Sequence, residues 1–356
     1  MTSGSSRDFL DRLGIDQPII QAPMAGISTP AMAAAVANAG GLGSLGVGAT
    51  NAGGAGEMIA AVQDRTNRSL NVNLFCHRPA VADPAREAAW LKRLRPEFAR
   101  FNAAPPPDIR EIYTSFLADQ DMLATLLAMR PKVVSFHFGL PAPEWIRVLR
   151  DAGIVLLGSA TSLAEARVVA TAGVDAVVAQ GYEAGGHRGM FDPDGADAQL
   201  GTLALTRLLV RNLDLPVIAT GGIMDGAGIA AALRLGAAAA QLGTAFIATE
   251  ESAADAGYRA ALFSDAAHRT VMTRAISGRP ARCLANRFTA WGQDIPHGEI
   301  PVYPIAYDAG KALNAAAKVA GEFGYGAQWA GQGAPLARAR SAGRLMAELI
   351  AEIAAG

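Results

Sequence analysis

Short apolar runs rich in β-branched residues alternate along the chain with alanine-rich runs in which apolar residues recur every three or four positions. The first pattern predicts β-strands and the second predicts helices. Several strand segments are apolar throughout, which is typical of parallel strands covered on both faces. The eight predicted strands are 18–24, 42–46, 70–76, 133–139, 154–160, 176–181, 216–221 and 239–246. Eight strand–helix units in series predict an α/β fold, a (β/α)8 TIM barrel, with an open doubly wound sheet as the alternative.

Capping residues predict where several helices begin. Thr29, before a proline, and Asp225 are placed as N-caps, and Ser162 with Glu165 has the spacing of a capping box. The nearly apolar stretch 229–248 is dominated by alanine and glycine, which is weak material for a membrane span. We therefore expect a buried helix followed by a buried strand.

Two segments are too long and irregular to be strand–helix connections. Segments of this kind usually build a lid or small domain over one mouth of a barrel. We predict the barrel at 1–76 and 129–265 and an accessory lid or substrate domain at 77–128 and 266–333. The remainder, 334–356, is predicted to hold a helix over 336–353 that packs on the barrel through an apolar stripe.

Composition narrows the classes of function. Hydrophobic residues make up 51% of the 356 residues and charged residues 18%, which excludes global disorder. A net charge of −1 provides no field for binding nucleic acid or a membrane surface, so neither partner is expected. Two cysteines without metal-type spacing predict neither a disulfide scaffold nor a metal site. The polar, serine-rich start lacks a secretory pattern, so a cytoplasmic location is expected.

The ends of the predicted strands carry amides and glycines and almost no carboxylates. The third, sixth and eighth predicted strands carry Asn73, Gln180 and Gln241. Side-chain amides can donate and accept at the edge of a heteroaromatic ring, and glycines let backbone N–H groups approach a ligand. The glycine-rich ends of strands seven and eight lie where barrels commonly hold a phosphate. The pattern predicts a planar cofactor with a phosphate tail, unless these glycines only turn the chain.

The segment 41–46 (GLGSLG) matches the G-x-G-x-x-G fingerprint of dinucleotide-binding proteins. A working fingerprint follows a strand and opens a helix. Here the glycines follow a predicted helix and contain the second predicted strand. We therefore do not expect a dinucleotide site at 41–46.

The stretch 180–189 runs from a strand end into a small-residue loop that presents His187. His77 and His137 lie at or near other strand ends and are further candidates, whereas His268 lies outside the repeat and is predicted to be solvated. Near neutral pH an imidazole can accept a proton or donate a hydrogen bond. A lone histidine is usually structural, but the two glycines before His187 would let its ring stand over a ligand.

Several motifs resemble a known family. Four of them are 21–26 (QAPMAG), 183–187 (EAGGH), 219–223 (ATGGI) and 241–244 (QLGT). They resemble the FMN-dependent nitronate monooxygenases, formerly called 2-nitropropane dioxygenases, over almost the whole chain. The FMN-dependent enoyl-acyl-carrier-protein reductases share these four motifs. The stretches 303–311 (YPIAYDAGK) and 328–332 (QWAGQ) resemble the class I nitronate monooxygenases, which oxidise propionate 3-nitronate.

The resemblance implies a set of site residues. His187 would be the catalytic residue, near the reactive edge of the flavin. Asn73 and Gln180 would serve the isoalloxazine ring of FMN, while residues after strands seven and eight would hold the phosphate. The full FMN-binding set is Ala22, Pro23, Met24, Asn73, Gln180, Gly185, Gly186, Gly221, Gly222, Gln241, Leu242, Gly243 and Thr244. The substrate-binding set is Tyr113, Tyr258, Tyr303, Tyr307 and Lys311.

If a helix begins near Pro304, Tyr307 and Lys311 share one face, which suits an anionic substrate. The implied reaction is an FMN- and O2-dependent denitrification of propionate 3-nitronate and other alkyl nitronates, a detoxification, through an anionic flavin semiquinone. Its products are 3-oxopropanoate with nitrite and nitrate. His187 would position the anion and act as a base only for neutral nitroalkanes. A monomer or small homo-oligomer is expected.

Three alternatives remain open at this stage. They are an FMN-dependent NAD(P)H reductase of enoyl thioesters or quinones, a non-redox barrel that binds a sugar phosphate, and a non-catalytic FMN carrier. The arginines at 274, 279, 282 and 287 lie in a stretch without acids. They are interpreted as solvated or structural, with an anion site as the alternative. Trp291 and Trp329 are expected to pack in the core or lid, with a cofactor contact as the alternative.

Overall fold

The computed structural model describes residues 3–355, in which eleven strands and fourteen helices follow one another. The strands are β1 (Ile19–Gln21), β2 (Gly43–Gly46), β3 (Leu70–Phe75), β4 (Val133–His137), β5 (Val155–Ala160), β6 (Ala176–Gln180), β7 (Gly186–His187), β8 (Val217–Thr220), β9 (Ala239–Leu242), β10 (Thr270–Thr273) and β11 (Ala281–Leu284). The helices are α1 (Ser3–Leu13), α2 (Pro30–Asn38), α3 (Ala52–Gln63), α4 (Pro84–Ala99), α5 (Gln120–Met129), α6 (Pro143–Asp151), α7 (Leu163–Thr171), α8 (Thr202–Asn212), α9 (Gly226–Arg234), α10 (Thr244–Ile247), α11 (Ala256–Leu262), α12 (Arg287–Trp291), α13 (Ile305–Val319) and α14 (Ala342–Ala355).

Eight parallel strands form the central sheet in the order β1-β9-β8-β6-β5-β4-β3-β2. Its two edges meet, because Ile20 bridges Leu42 and the Gln21 N–H donates to the Leu42 carbonyl at 3.0 Å. Helices cover the outside of this closed sheet. The predicted (β/α)8 barrel is confirmed, and the open doubly wound sheet is wrong.

The glycines of 41–46 serve packing. Residues 43–46 form β2, and a Cβ on Gly43 would lie 2.6 Å from the carbonyl carbon of Ala33 in α2. Only a glycine lets this helix lie so close to the strand. The prediction that 41–46 contains the second barrel strand is confirmed.

The predicted helix starts are confirmed. The side chains of Thr29, Ser162 and Asp225 each accept an N–H from the first turn of the helix that follows. The capping box at Ser162 is only half formed, because the Glu165 carboxylate accepts from the Thr161 N–H at 2.7 Å instead. The stretch 229–248 is a helix followed by a strand, as predicted, and not one continuous span.

Two predicted boundaries differ most from the structure. The eighth barrel strand ends at Leu242, because Thr244 begins a helical turn whose hydroxyl accepts the Gly331 N–H at 2.9 Å. The last helix begins at Ala342, six residues later than predicted. Its first N–H is capped by the Glu251 carboxylate at 2.8 Å, a partner that is distant in sequence.

The two segments outside the repeat meet beside the barrel mouth. Helix α4 packs against α13, and an apolar cluster that includes Trp90, Phe98, Ile276, Phe288 and Leu313 joins them. Strands β10, β11 and β7 form a small antiparallel sheet, which ties the 266–333 segment to the loop after β6. Helix α5 packs on the barrel helix α3. The exact domain division stays a prediction.

No helix within residues 3–355 is both long enough and apolar enough to cross a bilayer.

Candidate active site

A cavity of about 760 Å³ opens at the carboxyl ends of the barrel strands. Its volume lies in the range of small-molecule and cofactor sites. The predicted site residues line it, with two exceptions. Leu242 is 1% exposed and packs in the apolar layer between barrel and helices, and Gly222 is exposed beside the cavity.

One side of the cavity, which we call the barrel wall, consists of strand-end residues. They are Ala22, Pro23, Met24, Asn73, Gln180 and Gln241. The Asn73 amide donates to the Ser135 hydroxyl at 2.9 Å, which leaves its carbonyl oxygen for a ligand. The barrel wall carries no charged side chain.

Gln180 also orients the loop that carries His187. Its Nε2 donates to the His187 carbonyl at 3.0 Å, and its Oε1 accepts from the Gly189 N–H at 2.7 Å. The Gln180 Nε2 can donate one further hydrogen bond and its Oε1 can accept one more. The predicted contact with a cofactor ring is therefore compatible with this anchoring role, which the sequence did not indicate.

Glycines allow the loop after β6 to touch the accessory segment. A Cβ on Gly185 would lie 2.5 Å from the carbonyl carbon of Ala330, and the Gln332 N–H donates to the Glu183 carbonyl at 2.9 Å. The Glu183 carboxylate accepts the Thr202 N–H at 2.8 Å, which caps α8. Sequence reasoning missed this cap, because the position before α8 is a glycine without a capping side chain.

The opposite side, which we call the lid wall, is aromatic and cationic. It consists of Tyr113, Tyr303, Tyr307, Lys311 and Trp329. Helix α13 places Tyr307 and Lys311 on one face, as predicted. The Lys311 Nζ lies 4.9 Å from the ring centre of Tyr113 and 5.4 Å from that of Tyr307. Burial lowers the pKa of Lys311, and Asp308 opposes that shift.

His187 lies between the two walls. Its ring centre is 5.1 Å from those of Tyr303 and Trp329 and 6.1 Å from that of Tyr307. Burial, together with the positive charge of Arg279, holds the pKa of His187 well below its ordinary value. The imidazole is therefore neutral at physiological pH.

The other histidines occupy different places. His137 lines the cavity, and its Nδ1 lies 2.8 Å from the Ser159 hydroxyl. His77 is buried behind Tyr303, with ring centres 5.0 Å apart. Burial lowers the pKa of His77 and of His137 to about 4. His268 is exposed, as predicted.

Tyr258 and Trp329 contact each other at the cavity edge. The Tyr258 hydroxyl donates to the Trp329 carbonyl, and the Trp329 ring lines the cavity beside His187. Trp329 thus does more than pack. Trp291 lies in the core with Trp90, as expected.

The four arginines do not converge on one site. Arg274 pairs with Asp194 and the exposed Arg287 with Glu322, while Arg282 donates to the Tyr182 carbonyl at 2.7 Å. Arg279 is only 3% exposed. The structural interpretation of this stretch fits these contacts better than a shared anion site.

A closed (β/α)8 barrel with a ligand-sized cavity at its carboxyl ends and a neutral histidine at the centre defines a barrel enzyme. The sequence model of the nitronate monooxygenase family matches residues 7–352. The chain belongs to the nitronate monooxygenase family. It is therefore an oxidoreductase of a family that uses a flavin.

Individual relatives agree with this assignment. A nitronate monooxygenase from Paraburkholderia phytofirmans is 63% identical over 347 residues, which cover 98% of this chain and 95% of that protein. The crystal structure of a nitroalkane oxidase from Streptomyces ansochromogenes has a TM-score of 0.89 at 42% identity, covering 97% of this chain and 98% of that one. FabK from Thermotoga maritima is more distant, with a TM-score of 0.72 at 29% identity over 98% and 96% of the two chains.

Proposed function

We propose that the protein oxidises propionate 3-nitronate and related alkyl nitronates with dioxygen and FMN, yielding 3-oxopropanoate with nitrite and nitrate. The observation that carries this proposal is the lid wall, which sets a lysine and three tyrosines opposite a neutral barrel wall. Asp255 is the one carboxylate found among the cavity-lining residues of the described chain, and it pairs with Lys318 at 2.5 Å. The inner cavity therefore suits anions.

FMN fits the barrel wall by its chemistry. A neutral ring with donors and acceptors along its edge matches the amides of Asn73, Gln180 and Gln241. Gly222, Gly243 and Thr244 would hold the phosphate, and Gly221 and Gly222 adopt positive φ values of 125° and 69° that suit a close turn. When bound, FMN supplies the redox chemistry, while the protein binds and orients the substrate.

The substrate would bind against the lid wall. Lys311 can form charge-assisted hydrogen bonds to a carboxylate or a nitronate oxygen. The Tyr303 hydroxyl is buried and has no hydrogen-bond partner among residues 3–355, so an anionic ligand would give it one. Tyr113, Tyr258 and Tyr307 complete this side of the pocket.

His187 would serve the two classes of substrate differently. A nitronate arrives deprotonated and needs no base, so the neutral imidazole orients it and excludes water. A neutral nitroalkane must first lose a C–H proton, and an imidazole whose pKa is lowered stays unprotonated, and so available as the base, over a wide pH range.

Oxygen uptake with propionate 3-nitronate tests the proposal. We expect uptake without any nicotinamide cofactor, from a yellow protein. Rapid anaerobic bleaching by NADH or NADPH, with no response to the nitronate, would favour the reductase alternative, and a colourless protein would favour a sugar-phosphate site. A small-molecule partner, a cytoplasmic location and a monomer or small homo-oligomer remain predictions.

A further inference from the structure

The turn Ser277–Gly278–Arg279 lies directly behind His187. The fully buried Ser277 hydroxyl is 2.9 Å from His187 Nε2 and 3.2 Å from the Arg279 carbonyl oxygen. Gly278 has a φ of 89°, and a Cβ there would lie 2.7 Å from the Tyr303 backbone nitrogen. The turn is thus tied both to His187 and to the segment that carries Tyr303.

We propose that Ser277 and Arg279 are positioning residues that hold His187 as a neutral imidazole protonated on Nε2, with Nδ1 as a proton acceptor facing the cavity. This inference deepens the proposed function, since it specifies the form of His187 that meets the substrate.

The hydrogen-bond arrangement selects the protonated nitrogen. The Ser277 hydroxyl has one proton and two acceptors within reach. Among residues 3–355 it is the one donor found for the Arg279 carbonyl oxygen. If Ser277 donates to that carbonyl and accepts from His187 Nε2–H, all three buried groups are paired. The reverse arrangement leaves the carbonyl without a donor, which buried backbone groups avoid.

The second ring nitrogen is the one left for the substrate. His187 Nδ1 has no hydrogen-bond partner among the described residues. Unlike the ring nitrogens of His77, it is not completely buried. Because His187 lines the cavity, Nδ1 is the nitrogen that a bound molecule can reach.

Arg279 adds to the effect of burial in keeping the same ring uncharged. Its guanidinium lies 4.0 Å from the ring centre of Phe138, and Phe138 stands edge-on to His187 at 5.7 Å. No carboxylate pairs with Arg279 in the described part of the chain, whereas the equally buried Arg188 is paired with Asp197 at 2.8 Å. Glu165 and Asp194 act on Arg279 only at a distance, so its positive charge behind Phe138 still disfavours a second one on His187.

The other titratable groups around His187 do not reverse this effect. They are His77, His137, Arg188, Tyr303, Tyr307 and Lys311. None of them is a carboxylate.

Phe138 itself adopts a φ of 75°, which is unusual for a non-glycine residue, and this conformation places its ring between the Arg279 guanidinium and the His187 imidazole.

Nitrogen NMR of the flavin-loaded enzyme, labelled with ¹⁵N in its histidine rings, tests the inference. The His187 signals are assigned by their loss in H187N. We expect a protonated Nε2 and an unprotonated Nδ1 for His187, unchanged between pH 6 and 8. S277A should give a mixture of the two tautomers, and S277T, which keeps the hydroxyl, should resemble the wild type. R279M should raise the pKa of His187 by about one unit or more, whereas R279K should leave it low.

The wild-type spectrum shows which ring nitrogen of His187 is protonated even if the buried variants fail to fold. A proton on Nδ1, or a charged imidazole at pH 7, would overturn the inference. If the pKa of His187 were equal in R279M and R279K, the charge at position 279 would have no part in keeping His187 neutral. S277A should also slow turnover of a neutral nitroalkane about 10-fold or more relative to its nitronate. An enzyme that oxidises neither substrate would refute the proposed function, while the spectrum would still report the tautomer.

Discussion

The barrel wall and the lid wall face each other across one cavity but differ in charge and in origin. Each barrel-wall residue lies in the carboxyl-terminal part of a barrel strand or directly after one, and the wall holds neutral amides and apolar side chains. The lid wall gathers Tyr113, the start of α13 and Trp329 from three distant parts of the chain, and it carries Lys311. A neutral wall suits a heteroaromatic ring and a cationic wall suits an anion. Under the proposed function, the cofactor and the substrate would therefore meet different walls of the cavity.

His187 belongs to neither wall. It lies on β7, which pairs with β11 of the accessory segment, while Gln180 of the barrel holds its carbonyl. A side chain held from both sides is well placed to act between a cofactor on one wall and a substrate on the other. Changes at His187, at the contact between the walls and at Lys311 test this division.

Replacing His187 by asparagine should have the largest effect. Asparagine stays polar but cannot accept a proton near neutral pH, so turnover of nitroethane should fall by about 100-fold or more. Turnover of ethyl nitronate should fall far less, because this substrate is already deprotonated. Oxygen uptake with the two substrates, side by side, measures the difference, and H268N at an exposed position is the control. Equal losses on both substrates would contradict the assigned role of His187.

The barrel could be predicted from sequence because its information is local. Apolar runs and capping residues such as Thr29 and Asp225 act within a few positions. The wrong boundaries depend on partners far along the chain. Gly331 contacts Thr244 from 87 residues away, and Glu251 caps α14 from 91 residues away. No pattern around positions 244 or 342 encodes these contacts.

The same limit applies to the site. The glycines beside His187 and the strand-end amides indicated a cofactor site from local sequence alone. Ser277 and Arg279 could not be linked to His187, since Ser277 is 90 residues away from it in sequence. Trp329 was expected to pack, with a cofactor contact as the alternative, because a tryptophan near glycines carries no signal of its position beside His187.

The contact between the loop after β6 and the accessory segment should be sensitive to a single added methyl group. In Gly185→Ala the new Cβ would meet the backbone of Ala330 and Gly331, which cannot move aside as a flexible side chain would. We expect a loss of about 1–3 kcal/mol in the free energy of unfolding, measured with urea, together with weaker flavin retention. Gly343→Ala in α14, where nothing lies within 4 Å of the added Cβ, should be neutral or stabilising by up to about 1 kcal/mol. If the two variants changed stability and flavin retention equally, close contact between the loop after β6 and the accessory segment would not be needed for either property.

Lys311→Met should give the smallest effect, and the most specific one. Methionine keeps the side-chain volume near Tyr113 and Tyr307 but removes the charge. The KM for propionate 3-nitronate should rise about 10-fold, the value of roughly one charge-assisted hydrogen bond, with kcat little changed. For ethyl nitronate, which lacks the carboxylate, we expect a change of less than about 3-fold. Lys318→Met, which removes a lysine already paired with Asp255, is the matched control. If both nitronates lose affinity equally, Lys311 binds the nitronate group and not the carboxylate, and the lid wall then selects nitronates in general.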